Sequence, residues 1–202
     1  MDPKQTAVVL IGYQNDYFAA DGVLYQVIEE SSRVTGVVAN TVDLVERLRA
    51  TPTSVVSTPL RFTPDYSELV EPVGIIKTVK EMGAFKAGTR GAETIPELLR
   101  FGERIIEVPG KRGLNAFSNT DLDNLFQQRG ITNVVLAGVV TSICVDSTGR
   151  SAYERGYKVS ILSDCTSGRT TFEQDFYCEN VFPLYAEVID HVQLLKRLGI
   201  AT

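Results

Sequence analysis

The sequence has few of the residues on which most metal sites and many hydrolytic sites depend. It contains one histidine, three cysteines and no tryptophan in 202 residues. The histidine, His191, lies close to the C-terminus and is the one candidate base for Ser-His-Asp or Cys-His chemistry; a lone histidine of this kind is expected to be a surface or structural residue. The cysteines, Cys144, Cys165 and Cys178, form no Cys-x-x-Cys pair. This pattern argues against a disulfide framework or a zinc site and fits a reducing compartment.

Charge and hydrophobicity exclude two further classes of protein. The formal net charge is −5, and the lysines and arginines are scattered, whereas a general nucleic-acid binder needs a basic face. No apolar run approaches the length of a membrane span, and the run at residues 7–11 is too short for a signal peptide. We therefore expect a cytoplasmic protein with neither a nucleic-acid partner nor a membrane partner.

The order of apolar runs predicts an α/β fold. Residues 7–11 form a continuous, largely β-branched run, typical of a parallel strand buried on both faces. Further strands are predicted at residues 53–58, 104–108, 134–137, 158–162 and 186–189. Helices are predicted between them, at residues 33–49, 142–155, 172–181 and 192–198 and in the segment that ends at Gly130. This alternation predicts a three-layer sandwich, a parallel sheet with helices on both faces, in a single domain over residues 1–202.

Functional sites of such sheets lie at the carboxyl ends of the strands. Three of these ends carry distinctive residues, namely 12–16, Lys111 and 139–144. No Gly-rich phosphate loop is present, so nucleotide binding is not expected. Residues 59–103 contain four prolines and little regular pattern. Long loops of this kind form lids, pocket walls or oligomer contacts, and the sequence leaves these alternatives open.

Residues 133–146, NVVLAGVVTSICVD, have the features of a nucleophile holder. A buried strand is followed by Gly138 and then by Thr141 and Ser142, which can cap a helix that begins near Cys144. Unpaired N–H groups and the helix dipole in a first helical turn favour a thiolate over a thiol. A buried packing cysteine is the alternative for this stretch taken alone.

Taken together, these segments resemble the isochorismatase-like cysteine hydrolases, the superfamily of nicotinamidases, carbamoylsarcosine amidases and related amide hydrolases. The matching segments are the first strand with residues 14–18, the stretch from Lys111 to Phe117, the turn at 138–145 and residues 182–186. The resemblance covers nearly the whole chain. It implies a six-stranded parallel sheet with helices on both sides, and a homo-oligomer, either a dimer or a tetramer.

The resemblance also implies roles for individual residues. Cys144 matches the family's nucleophile and Lys111 its lysine. A non-proline cis peptide bond is implied between Val139 and Val140, with backbone N–H groups of Val140 and Cys144 forming an oxyanion hole. The family's third catalytic residue, an aspartate at the end of the first strand, is replaced by Gly12. That aspartate normally takes the thiol proton and passes it to the leaving nitrogen.

With glycine at position 12, the sequence does not identify the group that transfers the proton. Asp16 could substitute if its loop folds back, although organising that loop is its simpler role. Lys111 would lose an anionic partner and gain room beside it, where we expect a carboxylate-bearing or otherwise anionic ligand. The protein could instead have lost hydrolysis and kept binding. Classical isochorismatases keep the aspartate and lack the cysteine, so literal isochorismatase activity is not expected.

A pocket wall is expected near the strand ends. The candidate substrate-binding residues are Gln14, Phe18, Arg61, Phe62, Tyr66, Phe85 and Thr141. Arg169 could reach a substrate carboxylate, although a surface position is its simpler interpretation. Nicotinamidases hold a divalent ion through an Asp-x-His…His cluster after the second strand; residues 58–65 contain no histidine, so we expect no metal, and no other cofactor is expected.

The leading functional hypothesis is a hydrolase of small C–N compounds, such as an amide, ureide or carbamoyl compound, that acts through a Cys144 thioester. Two alternatives remain open at this stage. One is a binding or regulatory protein for a small, possibly anionic molecule on the same scaffold. The other is a redox-sensing Cys144.

Overall fold

A computed structural model describes residues 1–200; residues 201 and 202, the end of the predicted domain, lie outside the described part. The strands are β1 Thr6–Ile11, β2 Ser54–Thr58, β3 Ile106–Glu107, β4 Asn133–Val139, β5 Lys158–Ser167 and β6 Glu187–Ile189. The α-helices are α1 Asn15–Phe18, α2 Tyr25–Thr35, α3 Val37–Leu48, α4 Gly74–Met82, α5 Pro96–Leu99, α6 Leu122–Gln128, α7 Asp146–Glu154, α8 Thr171–Phe176 and α9 His191–Arg197. Two π-helical turns, Thr141–Val145 and Tyr177–Val181, adjoin α7 and α8.

The six strands form one sheet in the order β3-β2-β1-β4-β5-β6, and each neighbouring pair is parallel. The predicted six-stranded parallel sheet is therefore confirmed. β1 lies inside the sheet, and its side chains alternate between two cores, with Ala7 and Val9 on one face and Val8 and Leu10 on the other. Burial of both faces explains why its sequence is an unbroken apolar run.

Helices cover both faces, so the predicted three-layer arrangement is also confirmed. The core on one face includes apolar side chains of α3 and α9, among them Leu44 and Leu194. The core on the other face includes Phe126 of α6, Ala152 of α7 and Cys144. Within residues 1–200, no helix combines the length and the apolar character needed to cross a lipid bilayer.

A third group of buried side chains lies at the carboxyl edge of the sheet and is called the edge cluster below. It contains Tyr17, Leu24, Ile28, Leu60, Phe62, Tyr66, Val79, Ala84, Phe85, Val139 and Val140. Many of these residues come from the loop-rich part of the chain, whereas Val139 and Val140 end β4 and begin the following turn. Of the alternatives left open for the loop, the contacts favour a wall over the strand ends.

Two predicted boundaries were wrong. The helix predicted at residues 33–49 is divided, because Gly36 adopts a left-handed conformation with φ of 67° and separates α2 from α3. β5 continues to Ser167, beyond the predicted end at residue 162. Its pairing with β4 shifts register between Leu136 and Gly138, because β5 contains extra residues at this point. Strand propensity does not reveal such an irregularity.

Candidate active site

The turn after β4 holds the candidate nucleophile. The Val139–Val140 peptide bond is cis, as the resemblance implies. The chain then forms the π-helical turn Thr141–Val145, and the N–H groups of Ile143 and Val145 both donate to the Val140 carbonyl oxygen, at 3.0 Å and 3.2 Å. Cys144 is in this turn, and 4% of its surface is exposed. The turn therefore holds the thiol at the carboxyl end of β4, next to the start of α7.

The expected capping role of Thr141 and Ser142 was wrong. The helical path begins at Thr141, and neither hydroxyl caps it. The Thr141 hydroxyl donates to Oε1 of Gln174 and the Ser142 hydroxyl to Oε1 of Glu173, each at 2.5 Å. Both acceptors lie on α8, so these bonds fasten the nucleophile turn to a neighbouring helix.

The charged side chain of Lys111 forms a hydrogen bond with Cys144. Its ammonium group donates to the Cys144 sulfur at 3.4 Å and to the carbonyl oxygen of Gly113 at 2.7 Å. Only 1% of Lys111 is exposed, and within residues 1–200 no carboxylate forms an ion pair with it. The ammonium therefore places a positive charge in contact with the candidate nucleophile.

Gly12 is closely surrounded at the end of β1. Gly12 has a φ of 72°, in the left-handed region. A Cβ built on it would lie 2.9 Å from the Val139 carbonyl oxygen and 3.5 Å from Cε2 of Tyr17. The Val139 carbonyl at the end of β4 and the Tyr17 ring therefore lie close to Gly12, and the expected anionic ligand beside Lys111 stays a prediction.

Sequence reasoning missed Tyr17 as a functional candidate. Its ring is 3% exposed and belongs to the edge cluster, with Val139 and Val140. Burial raises the pKa of the Tyr17 phenol well above its usual range, and the neighbouring Cys144 and Asp16 raise it further. A signal was available in the sequence: a tyrosine lies just beyond the strand end that lacks the expected carboxylate.

Asp16 organises the loop around it. Its Oδ2 accepts the backbone N–H of Phe85 at 2.6 Å, and its main-chain carbonyl accepts the N–H of Leu24. The carboxylate also packs against Gly91 so closely that a Cβ there would lie 2.1 Å from Oδ1. These contacts support the simpler of the two roles considered for Asp16.

Three of the expected pocket-wall residues are brought together. Phe62, Tyr66 and Phe85 all lie in the edge cluster, and the Phe85 ring centroid is 5.1 Å from that of Tyr17. Tyr66 and Phe85 both have a φ of 55°, which is rare for aromatic residues. Thr141, whose hydroxyl contacts Gln174, is fully buried at the start of the nucleophile turn.

Other expected substrate-binding side chains are committed to different partners. The Gln14 amide bonds to the backbone of Leu60 and Ala92, which joins α1 to the loops. Phe18 stacks on Tyr13 with ring centroids 5.5 Å apart. Arg61 forms a two-point ion pair with Glu107, and Arg169 pairs with Glu173. Within residues 1–200, none of these four side chains forms a hydrogen bond with Cys144.

The single histidine belongs to a different cluster. Ring nitrogen and carboxylate or thiol atoms of Asp164, Cys165 and His191 lie within 4.8 Å of one another. The His191 Nδ1 and backbone N–H both bond to the Asp164 carboxylate, and Nε2 lies 3.5 Å from the Asp43 carboxylate. These contacts give His191 a structural role at the start of α9. The predicted absence of a metal stays a prediction.

The fold and the lysine–cysteine pair define an α/β protein with a candidate nucleophile at the carboxyl edge of a parallel sheet. The sequence model of the isochorismatase domain matches residues 6–193. The chain therefore belongs to the isochorismatase family of hydrolases.

Individual comparisons agree with this assignment. The ureidoacrylate amidohydrolase RutB of Methylobacterium radiotolerans is 28% identical over 178 residues, which cover 82% of this chain and 68% of that protein. A cysteine hydrolase structure from Pseudomonas syringae pv. phaseolicola 1448A has a TM-score of 0.87 at 21% identity and covers 98% of this chain and 94% of that one. The N-carbamoylsarcosine amidase of Thermoplasma acidophilum has a TM-score of 0.72 at 23% identity, with coverages of 95% and 97%. The two structural similarities show a shared fold.

Proposed function

We propose that this protein hydrolyses the C–N bond of a small amide, ureide or carbamoyl compound through a thioester on Cys144. The observation that carries the proposal is the buried contact of 3.4 Å between the Lys111 ammonium and the Cys144 sulfur. A positive charge next to a sulfur at the start of a helical path favours the nucleophilic thiolate. The similarity to a protein named ureidoacrylate amidohydrolase supports the same class of bond.

The proposed reaction has two halves. The Cys144 thiolate attacks the carbonyl carbon and forms a C–S bond, while the carbonyl oxygen becomes negatively charged. The backbone N–H groups of Val140 and Cys144 are the proposed donors to that oxygen. The C–N bond then breaks as a proton reaches the nitrogen, and the amine leaves. Water attacks the thioester, breaks the C–S bond, releases the acid and restores the sulfur.

Turnover of a substrate panel tests this proposal. The panel contains ureido acids, N-carbamoyl amino acids and small primary amides, and release of ammonia or amine is measured for the parent and for Cys144→Ala. Cys178→Ala is the matched control, because it removes a half-buried thiol outside the site. Brief reaction followed by acid quench and mass spectrometry should reveal an acyl group on Cys144 in the parent.

Each outcome separates the hypotheses. Turnover that is lost in Cys144→Ala and kept in Cys178→Ala supports the proposal. Equal turnover in the parent and Cys144→Ala refutes it. Ligand binding without turnover or adduct would indicate a binding protein, and fast peroxide oxidation of Cys144 without turnover would indicate a redox sensor.

A further inference from the structure

Cleavage of an amide C–N bond requires a proton at the departing nitrogen, because an amide anion leaves poorly. Gly12 supplies no acidic side chain at the end of β1. The Lys111 ammonium already donates to the Cys144 sulfur. One oxygen of Asp16 accepts a backbone N–H at 2.6 Å, and the carboxylate is packed against the backbone of the 90–92 turn. The site therefore needs another group that can deliver a proton.

Tyr17 lies where such a group is needed. Its Cε2 atom lies 3.5 Å from the position that a Cβ on Gly12 would take. The ring therefore borders the space that a side chain from the end of β1 would enter. The same ring packs in the edge cluster with Val139 and Val140, the two residues that lead into the nucleophile turn. The ring thus borders the site from α1, on the side of the sheet edge formed by β1.

The Tyr17 hydroxyl is available for substrate. Within residues 1–200 it has no hydrogen-bond partner, whereas the nearby buried tyrosines are engaged: the Tyr13 hydroxyl bonds to Thr41 and Cys165, and the Tyr66 hydroxyl donates to Ala84. The residue as a whole is 3% exposed, but its hydroxyl is not among the fully enclosed polar atoms that lack a partner, so a polar group of a substrate can reach it and form a hydrogen bond. This hydroxyl therefore favours a polar ligand atom beside it.

The Tyr17 ring is held by a strained loop residue. Phe85 packs on the ring in the left-handed conformation described above. Its backbone is fixed from two sides, because its N–H donates to Asp16 and its carbonyl accepts the N–H of Phe62. Strain at a bulky residue persists where surrounding bonds enforce it, often at functional sites. Here, those bonds keep an aromatic surface against Tyr17.

Electrostatics decides whether Tyr17 would give or take a proton. Burial and the charges of Cys144 and Asp16 raise the pKa of the phenol, so it keeps its proton at neutral pH. A neutral phenol cannot act as the initial base for the thiol. It can donate a hydrogen bond and transfer a proton to a more basic nitrogen as the C–N bond breaks.

We propose that Tyr17 is the proton donor to the leaving nitrogen in the amide hydrolysis proposed above, on which this inference rests. The C–N bond of the tetrahedral intermediate breaks as the phenol proton moves to nitrogen, which leaves a thioester and a phenolate. The phenolate then takes a proton from the water that attacks the thioester. The C–S bond breaks as the acid forms, and no redox change or additional reactant is required.

Two substrates that share the same acyl group test the role of Tyr17. One is an amide and the other a 4-nitrophenyl ester, whose leaving group departs without a proton. In Tyr17→Phe we expect kcat/KM for the amide to fall about a hundredfold, whereas kcat/KM for the ester changes by less than about threefold. Tyr157→Phe is the control, since it removes a phenol that bonds to Asp123, and both of its rates should equal those of the parent.

The results distinguish this inference from the proposed function. Equal losses for amide and ester in Tyr17→Phe, or no loss for either, overturn the role of Tyr17 and leave Cys144 hydrolysis standing. A parent that cleaves neither substrate overturns both proposals. If Tyr17→Phe does not fold, 3-fluorotyrosine placed at position 17 keeps the ring and makes the phenol more acidic. The ratio of kcat/KM for the amide to kcat/KM for the ester should then differ from that of the parent, because only the amide needs the phenol proton, and an unchanged ratio overturns the role.

Discussion

The Lys111 ammonium and the Cys144 sulfur are hydrogen-bonded although they follow strands that are not neighbours in the sheet. Lys111 follows β3, at one edge, and Cys144 follows β4, with β2 and β1 between them. The segment after β3 must therefore turn back across the carboxyl edge. Its lysine is 1% exposed and also donates to the carbonyl oxygen of Gly113, which fixes the ammonium in this position.

Replacement of Lys111 should reduce the nucleophilicity of Cys144. In Lys111→Met the side-chain length is nearly kept but the charge is lost, so the thiolate is no longer favoured. We expect iodoacetamide to modify Cys144 about tenfold more slowly at pH 7, and kcat/KM for the best substrate to fall about a hundredfold. Lys158→Met, which removes an exposed charge at the start of β5, is the control. Equal alkylation rates in the parent and Lys111→Met would show that the ammonium does not activate the sulfur.

Gly12→Ala should destabilise the fold by about 1–3 kcal/mol, because the left-handed conformation and the close carbonyl oxygen of Val139 both oppose a Cβ. Gly88→Ala separates the two causes. Gly88 has a φ of 80°, but no atom lies within 4 Å of its built Cβ, so only the conformational cost of about 1 kcal/mol applies. Urea unfolding of both variants gives the difference. Equal losses would mean that the Val139 backbone at the end of β4 shifts to accommodate the added carbon.

The sheet and the lysine–cysteine pair could be predicted from the sequence, because both depend on local patterns. Strands buried on two faces need continuous apolar runs, and β1 and β4 have them. The resemblance located Cys144 and Lys111 at strand ends, which a parallel sheet brings to one edge.

The surroundings of the pair could not be predicted in the same way, because they depend on tertiary contacts. Nothing local in the sequence indicates that Phe85 adopts a positive φ or packs on Tyr17. The two-point pairing of Arg61 with Glu107 likewise depends on where the loop after β2 meets β3. A loop sequence shows which residues are available but not which of them meet.

The Asp16 carboxylate should have a structural role, and asparagine at this position should recover part of the stability that alanine loses. Asp16→Ala leaves the buried N–H of Phe85 without an acceptor, which costs about 1–3 kcal/mol. Asp16→Asn keeps an oxygen that can accept this N–H, so about half of that loss should be recovered. Urea unfolding measures both. Equal destabilisation by the two variants would show that the negative charge, and not the acceptor oxygen, holds the loop.

Alkaline pH should destabilise the protein through its buried phenols and thiols. Burial raises the pKa of Tyr13, Tyr17 and Cys165 well above their ordinary values and that of Cys178 to about 12. In the unfolded chain thiols ionise near pH 8.5 and phenols near pH 10, whereas in the folded chain these groups keep their protons. Above those pH values the unfolded state binds fewer protons, so the free energy of unfolding falls as pH rises.

The slope of this fall can be assigned to individual tyrosines. Each buried phenol should contribute about 1.4 kcal/mol per pH unit above pH 10, until the folded group itself ionises. Tyr17→Phe and Tyr13→Phe should each remove one such contribution, and the double variant should remove two. Urea unfolding at pH 8, 10 and 11 measures the slopes. Tyr13→Phe also loses hydrogen bonds to Thr41 and Cys165, which lowers its stability at every pH but leaves the slope as the diagnostic quantity. An unchanged slope in Tyr17→Phe would mean that its phenol ionises in the folded protein as readily as in the unfolded chain.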